Sequence, residues 1–287
     1  MSLFKKVLLS PDEPRLRAGW RLLAQLLLLL FVSLPAAILL VFWPAGIGFE
    51  LIIGNGMPIV VSVFISRRIF DRRSFRSLGL HLNRQAGRDV LIGIGIAVLQ
   101  TSLVFFLELA FGWLKVEGFA WQQQSSLTVL QGILLWLVIF IAVGFYEELL
   151  SRGYQLQNLE EGLNTFWAVL LSSMVFGTLH FLNPNANWFS AVGITLSGMF
   201  LAYAYLATRK LWLPIGLHIG WNLFLGPVFG FPVSGLESSG LIKAVVDGPL
   251  LFTGGEFGPE AGLLLLPALG AGALLVWLVT RGRLGHE

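Results

Sequence analysis

Apolar residues occur along this chain in long blocks, separated by short clusters of charged residues, glycine and proline. Eight blocks reach or approach the roughly 20 apolar residues that a helix needs to cross a hydrocarbon core. They are 20–43, 49–65, 90–113, 127–146, 166–181, 188–208, 213–229 and 261–280. The second, fifth and seventh are short or polar enough to leave their ends open. The pattern predicts an all-α integral membrane protein, a polytopic bundle of about eight transmembrane helices. No strand pattern stands out. The absence of any convincing tandem or inverted repeat weakens a transporter reading. The first block is too long for a signal-peptide core and no small-residue cleavage site follows it, so it reads as a retained anchor.

Composition strengthens this picture. The chain has 287 residues, 56% hydrophobic and 12% charged, with a mean hydropathy of +0.79. A soluble domain carries roughly 25% charged residues, so the bilayer is the expected environment. Without cysteine there is no disulfide framework and no thiolate ligand or nucleophile. The net charge of +3 is no sign of a nucleic-acid partner, because the basic residues flank the apolar blocks. With eight spans, 17 of the 19 Lys and Arg residues fall on one side and only Lys115 and Lys243 on the other. This bias places both termini in the cytoplasm, and an odd number of spans would break it. The lack of cysteine and of a cleaved leader fits a bacterial inner membrane.

One membrane domain, 19–281, follows a cytoplasmic or interfacial segment, 1–18, in which Leu3, Phe4, Val7 and Leu8 mix with Lys5 and Lys6. The arginine-rich connection between Arg67 and Arg88 is read as a positive-inside anchor touching anionic headgroups, without catalytic meaning. The connection 230–260 is rich in glycine and proline, and either caps the bundle or re-enters it.

Three polar motifs interrupt the apolar blocks. They are Glu147-Glu148-Leu149-Leu150-Ser151-Arg152, Phe176-Gly177-Thr178-Leu179-His180 and His218-Ile219-Gly220-Trp221-Asn222. A charge at the bilayer centre costs about 2.5–3.5 kcal/mol on insertion scales, so several of them suggest a buried reaction centre. Residues four apart share a helix face, which lets Glu148 and Arg152 pair while Glu147, about 100° away, points elsewhere. A carboxylate left unpaired in an apolar pocket is a competent general base. His218 and Asn222 also lie four apart, and could hold a developing oxyanion. Taken singly, each motif is equally well an ordinary ion pair or a hydrogen-bonded membrane histidine.

In this order and spacing, the motifs resemble the CPBP family of intramembrane proteases, which includes the type II CAAX prenyl endopeptidases and the bacteriocin-processing or self-immunity proteins. The resemblance covers roughly Phe145 to Asn222, within a catalytic core at about 126–229. Ser151 departs from it, standing where the family often has an aromatic residue. The resemblance implies that Glu147 and His180 activate water, that His218 and Asn222 steady the oxyanion, and that Glu148 with Arg152 orients the first acid. It implies an endopeptidase, glutamate-type or metal-dependent, acting on a peptide or protein near the cytoplasmic face.

Glu147, His180 and His218 could form a three-ligand zinc site with one position open to water, although the His-Glu-x-x-His signature is absent. A metal-free glutamate mechanism accounts for Asn222 more economically, so no cofactor is favoured and Zn2+ is the alternative. Other readings of the same groups are a proton- or cation-relaying transporter and a non-catalytic immunity or scaffold protein. Nothing in the sequence selects a prenylated substrate.

Overall fold

A computed structural model describes residues 7–10, 13, 15–43 and 46–282. All eight apolar blocks are helical. The helices are α1 (Ala18–Phe42), α2 (Ile47–Ile69), α3 (Arg84–Ala110), α4 (Ser126–Gly162), α5 (Thr165–Leu179), α6 (Trp188–Thr208), α7 (Trp212–Leu223) and α8 (Leu265–Thr280). Six of the described segments are long and apolar enough to cross a membrane, with α5 extended to Leu182 by a 3-10 turn. α7 continues as a π-helical turn to Val228.

Polar caps fix where several helices begin. Asn83, Ser125, Asn164 and Asn187 each accept a hydrogen bond from a backbone N–H of the following turn. These side chains satisfy donors that a helix leaves orphaned at its start, which matters most where water is scarce.

Two expectations need correction. The fourth apolar block does not end at Tyr146, because α4 runs on to Gly162 through a π-helical segment, Leu149–Gln155. The motif acids therefore lie within a helix and not at its end. A two-stranded antiparallel sheet is also present, pairing β1 (Leu114–Phe119) with β2 (Ile242–Val246). The strands are short and lie in connections rich in glycine, so they carry little periodic signal. Lys115 and Lys243, the two basic residues set apart by the charge pattern, both belong to this sheet.

The segment 1–18 lies partly outside the described residues. Within its described part, Leu9 and Leu16 form an isolated antiparallel bridge, so no helix runs through to α1. Several basic residues that flank the apolar blocks are in fact buried: Arg15, Arg21 and Arg67. Arg283 and His286 lie outside the described residues.

The tightest helix pair positions the third motif. α7 lies against α3 so closely that a Cβ on Gly216 would sit 2.3 Å from the Val90 carbonyl oxygen, and one on Gly93 would sit 2.5 Å from that of Leu213. Small residues let membrane helices approach backbone to backbone. The opposite side of α7 faces α4, where Ile219 packs beside Gly144. α7 is thus wedged between two long helices, with His218 and Asn222 turned inward and buried.

Candidate active site

The two adjacent acids of α4 have different surroundings. Glu148 is fully buried, and its Oε1 accepts from Arg152 Nη1 at 2.8 Å and from His218 Nδ1 at 2.9 Å. Arg152 is held further by the Gly198 carbonyl at 3.0 Å and lies 4.5 Å from the centre of the Phe176 ring. Phe176 in turn packs on His180, ring to ring at 4.7 Å, and edge-on against His218 at 6.3 Å. The aromatic of the second motif therefore joins the cation of the first to the imidazoles of the second and third, through cation–π and ring contacts.

Glu147 points the other way, into a cavity of about 500 Å³ that His180, His218 and Asn222 also line. Its Oε2 lies 3.7 Å from His218 Nε2 and 3.9 Å from His180 Nε2. No protein group within the described residues hydrogen-bonds this oxygen, although it is buried. The hydrogen bonds at the far side of each ring define the tautomers. His180 Nδ1 is 2.8 Å from the Phe176 carbonyl, which can only accept, so Nδ1 carries the proton. His218 Nδ1 faces a carboxylate and must likewise donate. Both rings thus turn Nε2 toward the same carboxylate oxygen. A group that donates hydrogen bonds, as water does, satisfies such a cluster.

Glu147, His180 and His218 are also of the donor types that a zinc ion takes. Around a tetrahedral ion with bonds near 2.0–2.1 Å, ligand atoms sit roughly 3.3–3.4 Å apart. The two Glu147 separations are wider, and no three His, Cys, Asp or Glu groups among the described residues are arranged to hold a metal ion.

Of the six candidate residues, Glu147, His180, His218 and Asn222 line one cavity, and Glu148 and Arg152 stand behind it through His218. The sequence reading missed the opposite wall. Trp221, Ser234 and Glu260 line the cavity too, the last two from the connection 230–260 whose role was open. Glu260 is buried and accepts from Trp221 Nε1 at 3.0 Å and from the amide and hydroxyl of Ser234. Burial pushes its carboxyl up, against the Ser234 hydrogen bonds, the nearby His180 and the Trp221 bond, which act to lower it. The available signal was an acid in Gly258-Pro259-Glu260, directly ahead of the last apolar block.

Residues 128–224 match the family described as "Type II CAAX prenyl endopeptidase Rce1-like". Among curated proteins, the chain is 28% identical over 142 residues to "Putative membrane peptidase YdiL" of Bacillus subtilis (strain 168), covering 46% of this chain and 56% of that one. It is 23% identical over 224 residues to a Phospho-N-acetylmuramoyl-pentapeptide-transferase of Streptococcus equi subsp. zooepidemicus (strain MGCS10565), covering 78% of this chain and 60% of the relative. The chain therefore spans less than two thirds of the length of these relatives. The family match encloses all three motifs, and over these residues the chain is similar to the type II CAAX prenyl endopeptidases and to a membrane peptidase relative.

Proposed function

We propose that this chain is an intramembrane endopeptidase that hydrolyses a peptide bond with a water activated by Glu147 and His180. The observation that carries the reading is the buried, unpartnered Oε2 of Glu147 facing two imidazole Nε2 atoms at 3.7 and 3.9 Å. Glu147 takes a proton from the water as its oxygen bonds to the scissile carbonyl carbon. The tetrahedral oxyanion is steadied by Asn222 and His218. Glu147 then returns the proton to the amide nitrogen as the C–N bond breaks, leaving a carboxylic acid and an amine, between which a proton then passes to give carboxylate and ammonium.

His218 can donate to the oxyanion only when both ring nitrogens are protonated, because Nδ1 is already engaged by Glu148. Asn222 has no such requirement. Glu148 and Arg152 act behind the site, fixing the His218 ring.

The cytoplasmic placement rests on the basic-residue bias and on position along α4. Glu147 lies about 22 Å from the Gly162 end and about 31 Å from the Ser126 end, at 1.5 Å per residue. With both termini cytoplasmic, the nearer end is the cytoplasmic one, and a bacterial inner membrane is the expected location. The substrate class is a peptide or protein presented at that face.

A transferase reading has less support. A phosphorylated substrate calls for a free cation, whereas no Lys or Arg among the described residues lines the cavity and Arg152 is committed to Glu148, the Gly198 carbonyl and Phe176. The deciding experiment is cleavage of quenched peptides by protein in lipid nanodiscs, before and after dialysis against a chelator. The glutamate reading expects activity that survives the chelator and is lost in Glu147→Gln. Cleavage retained in Glu147→Gln would overturn it.

A further inference from the structure

Glu260 lies outside the family-matched residues, and the hydrolysis described above makes no use of it. Among the described residues, Glu147 and Glu260 are the two carboxylates lining the cavity. Glu260 is 4% exposed. Its Oε1 accepts from Trp221, which stands between His218 and Asn222 on α7. Its Oε2 accepts twice from Ser234, from the amide at 2.5 Å and the hydroxyl at 2.9 Å.

Ser234 sits in a tight turn closed by the Val233–Leu236 bridge, with φ of 48°. Few residues other than glycine adopt this left-handed conformation, so the turn must be held from outside. Two further clamps do so. Asn183 Nδ2, three residues beyond His180, donates to the Ser234 carbonyl at 2.9 Å, and the Gly235 amide donates to the Phe257 carbonyl at 2.9 Å. A Cβ on Gly235 would lie 2.0 Å from the Pro184 carbonyl oxygen, so the turn is pressed directly onto the loop after His180.

One carboxylate thus ties α7, the turn at 233–236 and the 3-10 turn at 259–261 into a single wall. A buried carboxylate is costly to desolvate, and a cost of this kind is tolerated where several donors converge on the charge. Around it the wall presents Trp221, Val233 and Leu236 to the cavity, so its face is chiefly apolar.

We propose that Glu260 is a positioning residue that locks Trp221 and the Ser234 turn into a rigid apolar wall, which grips an apolar side chain flanking the scissile bond. The gripping role rests on the peptidase reading, while the locking role rests on geometry alone. No bond is made or broken at Glu260, whose oxygens are shared among three donors.

The test compares Glu260→Gln with the wild-type chain in nanodiscs, using a quenched decapeptide with an apolar residue beside the cleavage site. The peptide is selected from a random library as cleaved by the wild type and not by Glu147→Gln. Glutamine keeps the size, but either orientation of its amide turns a donor toward Trp221 or Ser234. The expected result is a KM raised about tenfold, as for loss of a charge-assisted hydrogen bond, with kcat within about threefold. An unchanged KM overturns the proposal, including the case where kcat and the melting temperature fall together, because that is how a purely structural residue behaves.

A second measurement does not depend on cleavage. In protein labelled with 5-fluorotryptophan, the Trp221 resonance is assigned by its loss in Trp221→Phe. It is expected to shift and broaden in Glu260→Gln, and an unmoved resonance overturns the locking role. If the wild type cleaves no peptide in the library, the peptidase reading and the gripping role fail together, while the fluorine signal still decides the lock.

Discussion

Two clusters of buried charge lie in this bundle, and they are built on opposite principles. In the first, Asp71 accepts from Arg21 Nη1 at 3.1 Å on one oxygen and from Arg67 Nη1 at 2.7 Å on the other. Glu161 beside it is paired with Arg15, Arg21 and Arg73. Both oxygens of Asp71 are met by a guanidinium. In the second cluster Glu148 is paired through Oε1 alone, which receives Arg152 and His218, while its buried Oε2 has no hydrogen-bond partner among the described residues. The preceding residue has no guanidinium partner at all among the described residues. Glu147 Oε2 is buried, faces two imidazole Nε2 atoms across the cavity, and accepts no hydrogen bond from the described residues. A carboxylate met by guanidinium groups holds helices together, whereas one that faces a cavity without a donor from the protein is open to a water that can react.

The difference predicts opposite responses to the loss of a single carboxylate. Glu147→Gln should lower peptide cleavage by about 10⁴-fold, the upper end of the range for general acid–base groups, with a melting temperature close to that of the wild type. Quenched-peptide rates and thermal unfolding of the same preparation read both quantities. Asp71→Ala should leave Arg67 buried without its counter-charge, while Arg21 keeps Glu161, at a cost of about 3–5 kcal/mol in stability. Its remaining folded fraction, counted by gel filtration, should cleave at the wild-type rate per molecule. A catalytic defect in folded Asp71→Ala, or collapse of Glu147→Gln, would erase the distinction between the clusters.

The sequence made the second cluster easier to read than the first. Its residues recur at spacings of four inside apolar blocks, so a helical repeat alone puts Glu148 with Arg152 and His218 with Asn222. Asp71, Arg21 and Glu161 are separated by 50 and 140 residues and sit among charges that also serve as topology signals. Only the packing of α1 against α2 and α4 brings them together. For the same reason Arg67 and Arg73 read as headgroup anchors, although each is committed to an internal carboxylate. The eight helices were legible as apolar blocks. The length of α4 was not, because polar residues after Tyr146 look like an ending, while the neighbouring helices bury them and let the helix continue. The wall carrying Glu260 was hidden for a further reason. Its contacts come from turns and an irregular segment, and no periodicity announces those.

Asn222 tests the comparison within the reactive cluster itself. It is buried beside the cavity and is assigned to the oxyanion, not to support. Asn222→Ala should therefore reduce kcat by about 10²–10³, as removal of one oxyanion donor does, with little change in KM or in thermal stability. A fall in stability like that of Asp71→Ala would move Asn222 into the structural class. Full activity would leave His218 as the sole donor, and the reaction would then depend on an imidazolium.

Arg209 and Glu160 offer the smallest effect, and they isolate burial as the variable. The pair is bidentate, at 2.7 and 3.2 Å, so its chemistry matches that of Asp71 with its arginines. Its arginine, however, is 50% exposed. Exposed pairs are worth about 0.2–1 kcal/mol, and Arg209→Ala should lose no more than that in a denaturant titration in detergent. The residue also ends α6 in a left-handed conformation, with φ of 51°. Glycine relieves about 1 kcal/mol of that strain, so Arg209→Gly should be more stable than Arg209→Ala and close to the wild type, although both lack the ion pair. If Arg209→Ala instead lost as much as Asp71→Ala, geometry and not burial would set the strength of these pairs, and Glu161 beside Asp71 would need to be weighed on the same terms.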